Sequence, residues 1–122
     1  MSMEGLVIDC HTVDQWEEQF QKHIGFDRLV VVNFTAPWLG PCVAIAPYFA
    51  QFSKMMRHVT FLEVNVSELE SIVQKYSVVA MPTFVFFKNG EIVDKILDAD
   101  KYQLRACIEK HATLNLVSAN VV

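Results

Sequence analysis

The segment that decides the fold reads Phe34-Thr35-Ala36-Pro37-Trp38-Leu39-Gly40-Pro41-Cys42. It follows an apolar, largely β-branched run at 29–34, which is typical of a strand that is buried on both faces. Pro41 suits the first turn of a helix, because the N–H that proline lacks has no partner there in any case. The segment therefore predicts a buried strand, a short turn and a helix with Cys42 in its first turn.

The flanking sequence alternates strand and helix patterns. Thr12 with Gln15, and Ser67 with Glu70, form capping boxes that predict helix starts. Asn89-Gly90 is the strongest short signal for a hairpin. The predicted strands are 6–10, 29–34, 60–66, 84–88 and 92–97, and the predicted helices are 12–24, 41–56, 67–76 and 100–111.

This order of elements predicts an α/β fold. Early strands that alternate with helices are expected to be parallel, and the Asn89-Gly90 turn adds an antiparallel pair. The predicted architecture is a central, mixed, five-stranded sheet flanked by four helices. We expect a single domain over 1–122, with its core at about 5–111 and an uncharged C-terminal tail at 112–122.

Composition and charge restrict the class of protein. The 122 residues are 52% hydrophobic and 20% charged, which favours a packed core over disorder. A net charge of −4 without any Lys/Arg cluster disfavours a nucleic-acid partner. No apolar run reaches the length of a membrane span, and the first residues do not resemble a signal peptide. A cytoplasmic protein that does not interact with membranes is therefore expected.

The three cysteines are Cys10, Cys42 and Cys107, and they lie far apart in the sequence. Their number and spacing match neither a secreted disulfide framework nor a set of metal ligands. No metal and no cofactor is predicted. Cys10 and Cys107 are interpreted as packing residues, and an intermolecular disulfide through either of them stays open.

The segment 34–42 resembles the active-site turn of the thioredoxins, where the family motif is Trp-Cys-Gly-Pro-Cys. Ala80-Met81-Pro82-Thr83 is similar to the loop that carries the family's cis-proline. The runs 7–13, 59–62 and 92–95 resemble plant h-type thioredoxins in particular. The chain is therefore identified from its sequence as an atypical member of the plant h-type family, with the resemblance covering about residues 5–111.

The resemblance implies a chemistry that this chain cannot carry out in full. In the family, the first cysteine attacks a client disulfide, and the second cysteine then resolves the mixed disulfide. Here the first position is Leu39, which has no nucleophile. Cys42 holds only the second, more buried position and is interpreted as an inert remnant, or alternatively as a reactive monothiol.

Two buried positions also depart from the family pattern. The strand before the motif carries an Asp in the family, which accepts the proton of the second thiol. Here that position is Asn33, whose amide does not titrate, and we interpret it as a hydrogen-bonded core residue. The position that aligns with a frequent family Lys is Glu63. These changes imply that the acid–base groups are lost together with the thiol.

The resemblance also implies a groove that holds extended client segments by backbone hydrogen bonds and apolar contact. Val43 replaces a basic or polar residue of the family. Asp98 replaces a Gly that allows a client backbone to approach closely, and its charge is expected to disfavour acidic clients. The alternative is that Asp98 is an exposed loop residue without a role. The groove positions are Trp38, Gly40, Pro41, Val43, Met81, Pro82 and Asp98, together with Leu39. The alternative for Trp38 and Met81 is that they only shield the core.

The leading functional hypothesis is a protein without disulfide reductase activity that binds partner or non-native polypeptides, as a chaperone-like or scaffolding module. Two alternatives stay open: a residual monothiol oxidoreductase that uses Cys42, and an engineered variant of an active disulfide reductase. Proteins or peptides are the expected partners. A weak homodimer is compatible with the sequence.

Overall fold

A computed structural model describes residues 6–112 of the chain. Within this range the chain forms five strands and four helices. The strands are β1 (Val7–Cys10), β2 (Leu29–Thr35), β3 (Thr60–Asn65), β4 (Thr83–Lys88) and β5 (Glu91–Ile96). The helices are α1 (Val13–His23), α2 (Gly40–Met55), α3 (Glu70–Lys75) and α4 (Lys101–Ala112).

The strands form one sheet in the order β1-β3-β2-β4-β5. The first three of these run parallel, whereas β4 is antiparallel to β2 and β5 is antiparallel to β4. This confirms the predicted mixed sheet. Because β2 is central and all seven of its residues are buried, its run of apolar side chains packs on both faces.

Alternate residues of β2 point to opposite faces of the sheet, and each face is covered by two helices. Leu29 and Val31 pack with Phe49 of α2 and Leu104 of α4. The other face of β2 packs against Trp16 of α1 and Ile72 of α3 in a second cluster. Trp16 is 1% exposed and lies in this second part of the core.

One predicted helix cap is confirmed and the other is wrong. The Thr12 side chain accepts a hydrogen bond from the Gln15 N–H at 3.1 Å, as an N-cap should. Ser67 does not cap α3, because the helix begins at Glu70 with Leu69 as its N-cap residue. The Ser67 N–H and hydroxyl both donate to Asn65 Oδ1, at 3.0 and 2.8 Å. These bonds form a turn, and α3 begins after Leu69 without a side-chain cap.

The helix after the decisive segment begins as predicted. Pro41 lies in the first turn of α2, and Pro47 lies inside the helix, which continues to Met55. Because proline has no N–H, Pro47 cannot donate to the carbonyl of Val43. The predicted end of the core shifts slightly, since Ala112 still belongs to α4. The remainder of the predicted tail, 113–122, lies outside the described residues.

The β4–β5 hairpin turns at Asn89 and Gly90, both with positive φ, 53° and 84°. This backbone geometry confirms the hairpin that the sequence predicts. The Asn89 side chain also exchanges two hydrogen bonds with Asp27, each 3.0 Å long. They tie the hairpin to the loop between α1 and β2. In that loop Phe26 has a φ of 56° and a completely exposed side chain.

Among residues 6–112, no helix combines the length and the apolar character that a membrane span needs.

Candidate functional site

The segments that carry the predicted site residues meet at one edge of the sheet. Phe34, near the end of β2, pairs with Thr83, where the antiparallel β4 begins. Phe84 pairs in turn with Ile96, where β5 ends. The turn before α2, the loop 80–82 and the segment after β5 therefore all lie at this edge, which we call the site edge.

Leu39 is the N-cap residue of α2. Its N–H donates to the carbonyl of Ala36 at 2.9 Å, and its own carbonyl accepts from the Val43 N–H at 3.0 Å. Its side chain makes no capping hydrogen bond and is half-buried. The N-terminus of a helix favours negative charge, but Leu39 places a hydrocarbon there.

Cys42 lies in the first turn of α2 and is only 1% exposed. All three cysteines of the chain are free, and all three are buried. A thiol must be reached by its disulfide partner before it can exchange with it. Burial of Cys42 therefore opposes direct attack on a large substrate.

Apolar side chains offer surface at the site edge, and four of them lie on the turn before α2, on α2 itself and in the loop 80–82. Trp38 is 64% exposed and Val43 is 57% exposed, while Leu39 and Met81 are half-buried. We call Trp38, Leu39, Val43 and Met81 the apolar face. Trp38 therefore presents most of its side chain to solvent.

The other predicted groove residues differ in how much surface they expose to solvent. Gly40 and Pro41 are exposed at the start of α2, whereas Pro82 is buried and adds little surface. The Met81–Pro82 peptide bond is cis, as the resemblance implied. Thr83 follows it with a hydroxyl that donates to the Ala80 carbonyl at 2.6 Å.

Asp98 lies beside α2. It lines a cleft together with Ala44 and Tyr48 of that helix. Its Oδ1 accepts a hydrogen bond from the Ala99 N–H at 2.8 Å, and the side chain is exposed. The exposed carboxylate therefore adds negative charge to the helix side of the site edge.

Asn33 belongs to a row of polar side chains that crosses three strands. It pairs with Glu63 on β3, and Glu63 pairs with Asp9 on β1. Burial, reinforced by the negative charge of Asp9, raises the pKa of Glu63 to about 7. The nearby Asn33 amide partly offsets this rise. The titratable carboxyl of Glu63 therefore lies next to Asn33, the position at which the family pattern has a carboxyl group.

The predicted burial of Asn33 is confirmed, whereas its predicted hydrogen bonding is only partly met. The residue is 1% exposed, and within residues 6–112 neither polar atom of its side chain has a hydrogen-bond partner of ordinary geometry. It interacts with Glu63 on β3 through a hydrogen bond of weaker geometry, and its partner on the β4 side is the apolar Phe84. A buried amide without good hydrogen bonds costs up to about 1–3 kcal/mol.

A small polar cavity of about 130 Å³ opens where the parallel strands end. Asp9 and Glu63 line it together with His11 and Glu68. His11 Nδ1 lies 2.9 Å from Glu68 Oε1, and this hydrogen bond raises the pKa of His11. Asp9, His11 and Glu68 were not among the predicted site residues. Asp9 lies on β1, and His11 and Glu68 follow the parallel strands β1 and β3, which was the available signal.

The comparison with known protein families agrees with this geometry. Residues 9–110 match the family model described as Thioredoxin. The chain belongs to the thioredoxin family. Its relatives include Thioredoxin H-type 1 of Nicotiana tabacum, 49% identical over 118 residues that cover 97% of this chain and 94% of the relative. Thioredoxin H1 of Arabidopsis thaliana is 50% identical over 110 residues, which cover 90% and 96%.

The thioredoxin fold is also found among solved structures. The crystal structure of thioredoxin NaTrxh from Nicotiana alata matches with a TM-score of 0.87 at 34% identity, covering 93% of this chain and 98% of that chain. A poplar wild-type thioredoxin h matches with a TM-score of 0.82 at 33% identity, covering 87% and 96%. The predicted fold and the relation to plant h-type thioredoxins are thus confirmed.

Proposed function

We propose that this thioredoxin-family protein binds partner or non-native polypeptides at its apolar face and does not reduce disulfides. The observation that carries the proposal is the pair Leu39 and Cys42. The exposed end of α2 has no thiol, and the one cysteine nearby is 1% exposed. A cytoplasmic location, expected from the sequence, forms part of the same proposal.

The surroundings of the missing thiol support this reading. Asn33 cannot accept a proton from Cys42. The nearby titratable residue is Glu63, which pairs with Asn33 from the adjacent strand β3. Trp38 and Val43 remain exposed at the same edge. Apolar surface near a strand that begins at the site edge suits an extended polypeptide with apolar side chains.

The redox half of the proposal is tested by reduction of insulin with dithiothreitol, followed as turbidity. The unmodified chain should not accelerate precipitation beyond dithiothreitol alone. A Leu39→Cys variant restores the nucleophile at the helix N-terminus and should give measurable acceleration. A Leu39→Ser variant, which adds a hydroxyl instead of a thiol, is the matched control and should stay inactive. Acceleration by the unmodified chain would contradict the proposal.

The binding half is tested with a permanently unfolded probe, reduced and carboxymethylated α-lactalbumin. Trp38→Ala should weaken binding about five- to thirtyfold, as expected for an exposed aromatic anchor. Phe26→Ala is the matched control, because Phe26 is an exposed aromatic residue just before β2, at the opposite edge of the sheet. Equal effects of the two variants, or no binding by the unmodified chain, would reject the apolar face as the site.

A residual monothiol activity is the second candidate. Its support is the position of Cys42 in the first turn of a 16-residue helix. Glutathione is small enough to test whether access is the only obstacle. Turnover of a glutathione mixed disulfide that Cys42→Ser abolishes would favour this candidate, and undiminished turnover would reject it.

A further inference from the structure

A second cluster of reactive side chains lies away from the site edge, between β5 and α4. It consists of Asp94, Cys107 and His111. Cys107 and His111 are four residues apart on α4, so both side chains point to the same face of the helix. His111 Nε2 lies 2.8 Å from Asp94 Oδ2, and Cys107 Sγ donates to the same oxygen at 3.3 Å. One atom from each residue lies within 4.8 Å of the other two.

The carboxylate at the centre of this cluster is held in place from the other side. The Lys95 N–H donates to Asp94 Oδ1 at 2.9 Å, which leaves Oδ2 for Cys107 and His111. The ring of Phe86 lies 6.2 Å from that of His111 and bounds the cluster on the sheet side. The hydrogen bond from His111, followed by that from Lys95, lowers the pKa of Asp94, so the carboxylate is charged.

The cluster is accessible from one side only. Cys107 is 9% exposed, whereas 17% of the His111 side chain and 35% of the Asp94 side chain are exposed. An ion can therefore approach past the carboxylate, on the side where Asp94 is in contact with solvent. Burial, with the hydrogen bond to Asp94, raises the pKa of the Cys107 thiol to about 12, so that in the metal-free chain it is a donor.

We propose that Asp94, Cys107 and His111 form a Zn²⁺ site with water as the fourth ligand. One sulfur, one imidazole nitrogen and one carboxylate oxygen are ligands that Zn²⁺ prefers, and three protein ligands leave one position open. Ligands bound at about 2.0–2.3 Å around one tetrahedral ion lie about 3–4 Å apart. The three donor atoms already converge to nearly this spacing.

Binding exchanges protons for the metal. The Cys107 thiol releases its proton to solvent and forms a Zn–S bond. The neutral His111 ring moves its one proton from Nε2 to Nδ1 by exchange with solvent and coordinates through Nε2, while Asp94 Oδ2 exchanges the two hydrogen bonds for a Zn–O bond. Mg²⁺ and Ca²⁺ prefer oxygen ligands and are not expected to bind.

The sequence did not indicate this site because its members are separated. Asp94 lies on a strand, and the two other ligands lie on the helix after it, so no short motif unites them. Asp94 pairs with Phe86, which is further from the site edge than Phe84. The Zn²⁺ site is therefore separate from the apolar face, and occupancy would fasten α4 to β5.

The test is titration of the reduced, chelator-treated full chain with Zn²⁺, read by native mass spectrometry and by calorimetry. One equivalent should bind. Cys107→Ser and His111→Gln should each weaken binding at least about tenfold, since even the loss of an outer partner of a ligand costs that much. Cys10→Ser, which changes a buried cysteine on β1, is the matched control and should bind like the unmodified chain. Mg²⁺ should give no signal.

A measurement on the unmodified chain does not depend on whether the variants fold. Zn²⁺ should slow alkylation of Cys107 in the unmodified chain, with Cys10 as the internal reference in the same peptide map. Absence of binding, equal binding by every variant, or no protection of Cys107 would overturn the proposal. Circular dichroism verifies that each variant is folded, and where Cys107→Ser is not, His111→Gln and the alkylation experiment decide.

Discussion

At the scale of single residues, the row formed by Asp9, Glu63 and Asn33 places two carboxyl groups beside one amide that has no hydrogen bond of ordinary geometry within residues 6–112. Burial and the charge of Asp9 raise the pKa of Glu63 from 4.5 to about 7. In the unfolded chain the same carboxyl ionises near its ordinary value. Glu63 is therefore a source of pH-dependent stability in this fold.

Glu63→Gln tests that dependence. Between about pH 4.5 and 7 the unfolded chain gives up a proton that folded Glu63 retains, so the unmodified protein loses stability as the pH rises. Gln is neutral throughout, so the variant should lack this loss. Relative to pH 4, its advantage at pH 8 should be about 1–2 kcal/mol, less than the full shift because half-buried Glu63 keeps contact with water. The measurement is urea unfolding at both pH values. A constant difference between the two proteins would contradict the assignment.

Phe26 gives a second prediction at this scale. A left-handed backbone costs an ordinary residue about 1–2 kcal/mol, whereas Asn tolerates it better, and the Phe26 ring is fully exposed. Phe26→Asn should therefore raise the free energy of unfolding by about 0.5–1 kcal/mol. Val79→Asn is the control, since Val79 is also exposed but does not have positive φ. Thermal unfolding of both variants checks the difference, and equal shifts would argue against backbone strain.

At the scale of elements, local signals succeed where the partner atoms are also local. Thr12 and Gln15 cap α1 as their spacing predicts, and Asn89-Gly90 forms the hairpin. Ser67 has the same kind of spacing to Glu70, but it donates to Asn65 within a turn, and the helix begins only at Glu70. The capping-box pattern alone does not show that this turn delays the start of the helix.

The two serine/threonine positions provide a matched prediction. Thr12→Ala removes a working cap and should lower the free energy of unfolding by about 1 kcal/mol. Ser67→Ala removes only an exposed hydrogen bond within a turn and should change it by less than about 0.5 kcal/mol. Chemical unfolding of both variants distinguishes them. Equal losses would mean that Ser67 supports α3 despite the geometry.

At the scale of the whole molecule, the fold was predictable because each strand pattern lies between clear turn or cap signals. The candidate sites were less predictable from the sequence. Asn33 could be located in a buried strand from the sequence. Whether its amide finds a hydrogen bond of ordinary geometry depends on Phe84 and Glu63, which lie on other strands. Likewise, the meeting of Asp94 with Cys107 and His111 depends on how α4 packs across β5. Contacts between elements are absent from any one stretch of sequence.

The charge beside the apolar face leads to a prediction about partner choice. Asp98→Asn removes an exposed negative charge and keeps the Oδ1 that accepts from Ala99. Binding of an acidic unfolded peptide should tighten about two- to fivefold at low salt, and binding of a neutral peptide should change little. Asp14→Asn, on exposed α1, is the control for net charge. Fluorescence anisotropy measures both peptides, and equal gains for the two peptides would remove Asp98 from partner selection.

The strand order has a consequence for the chain during its synthesis. β2 is made early, but its neighbour β4 comes from much later in the sequence. A nascent chain without β4 therefore leaves one side of β2 unpaired, and pairings between distant segments form slowly. Met81, part of the apolar face, reaches its place only when β4 is added. Pairing of β4 with β2 and completion of the apolar face thus occur together. A half-made chain therefore lacks the complete apolar face that is proposed to bind partners.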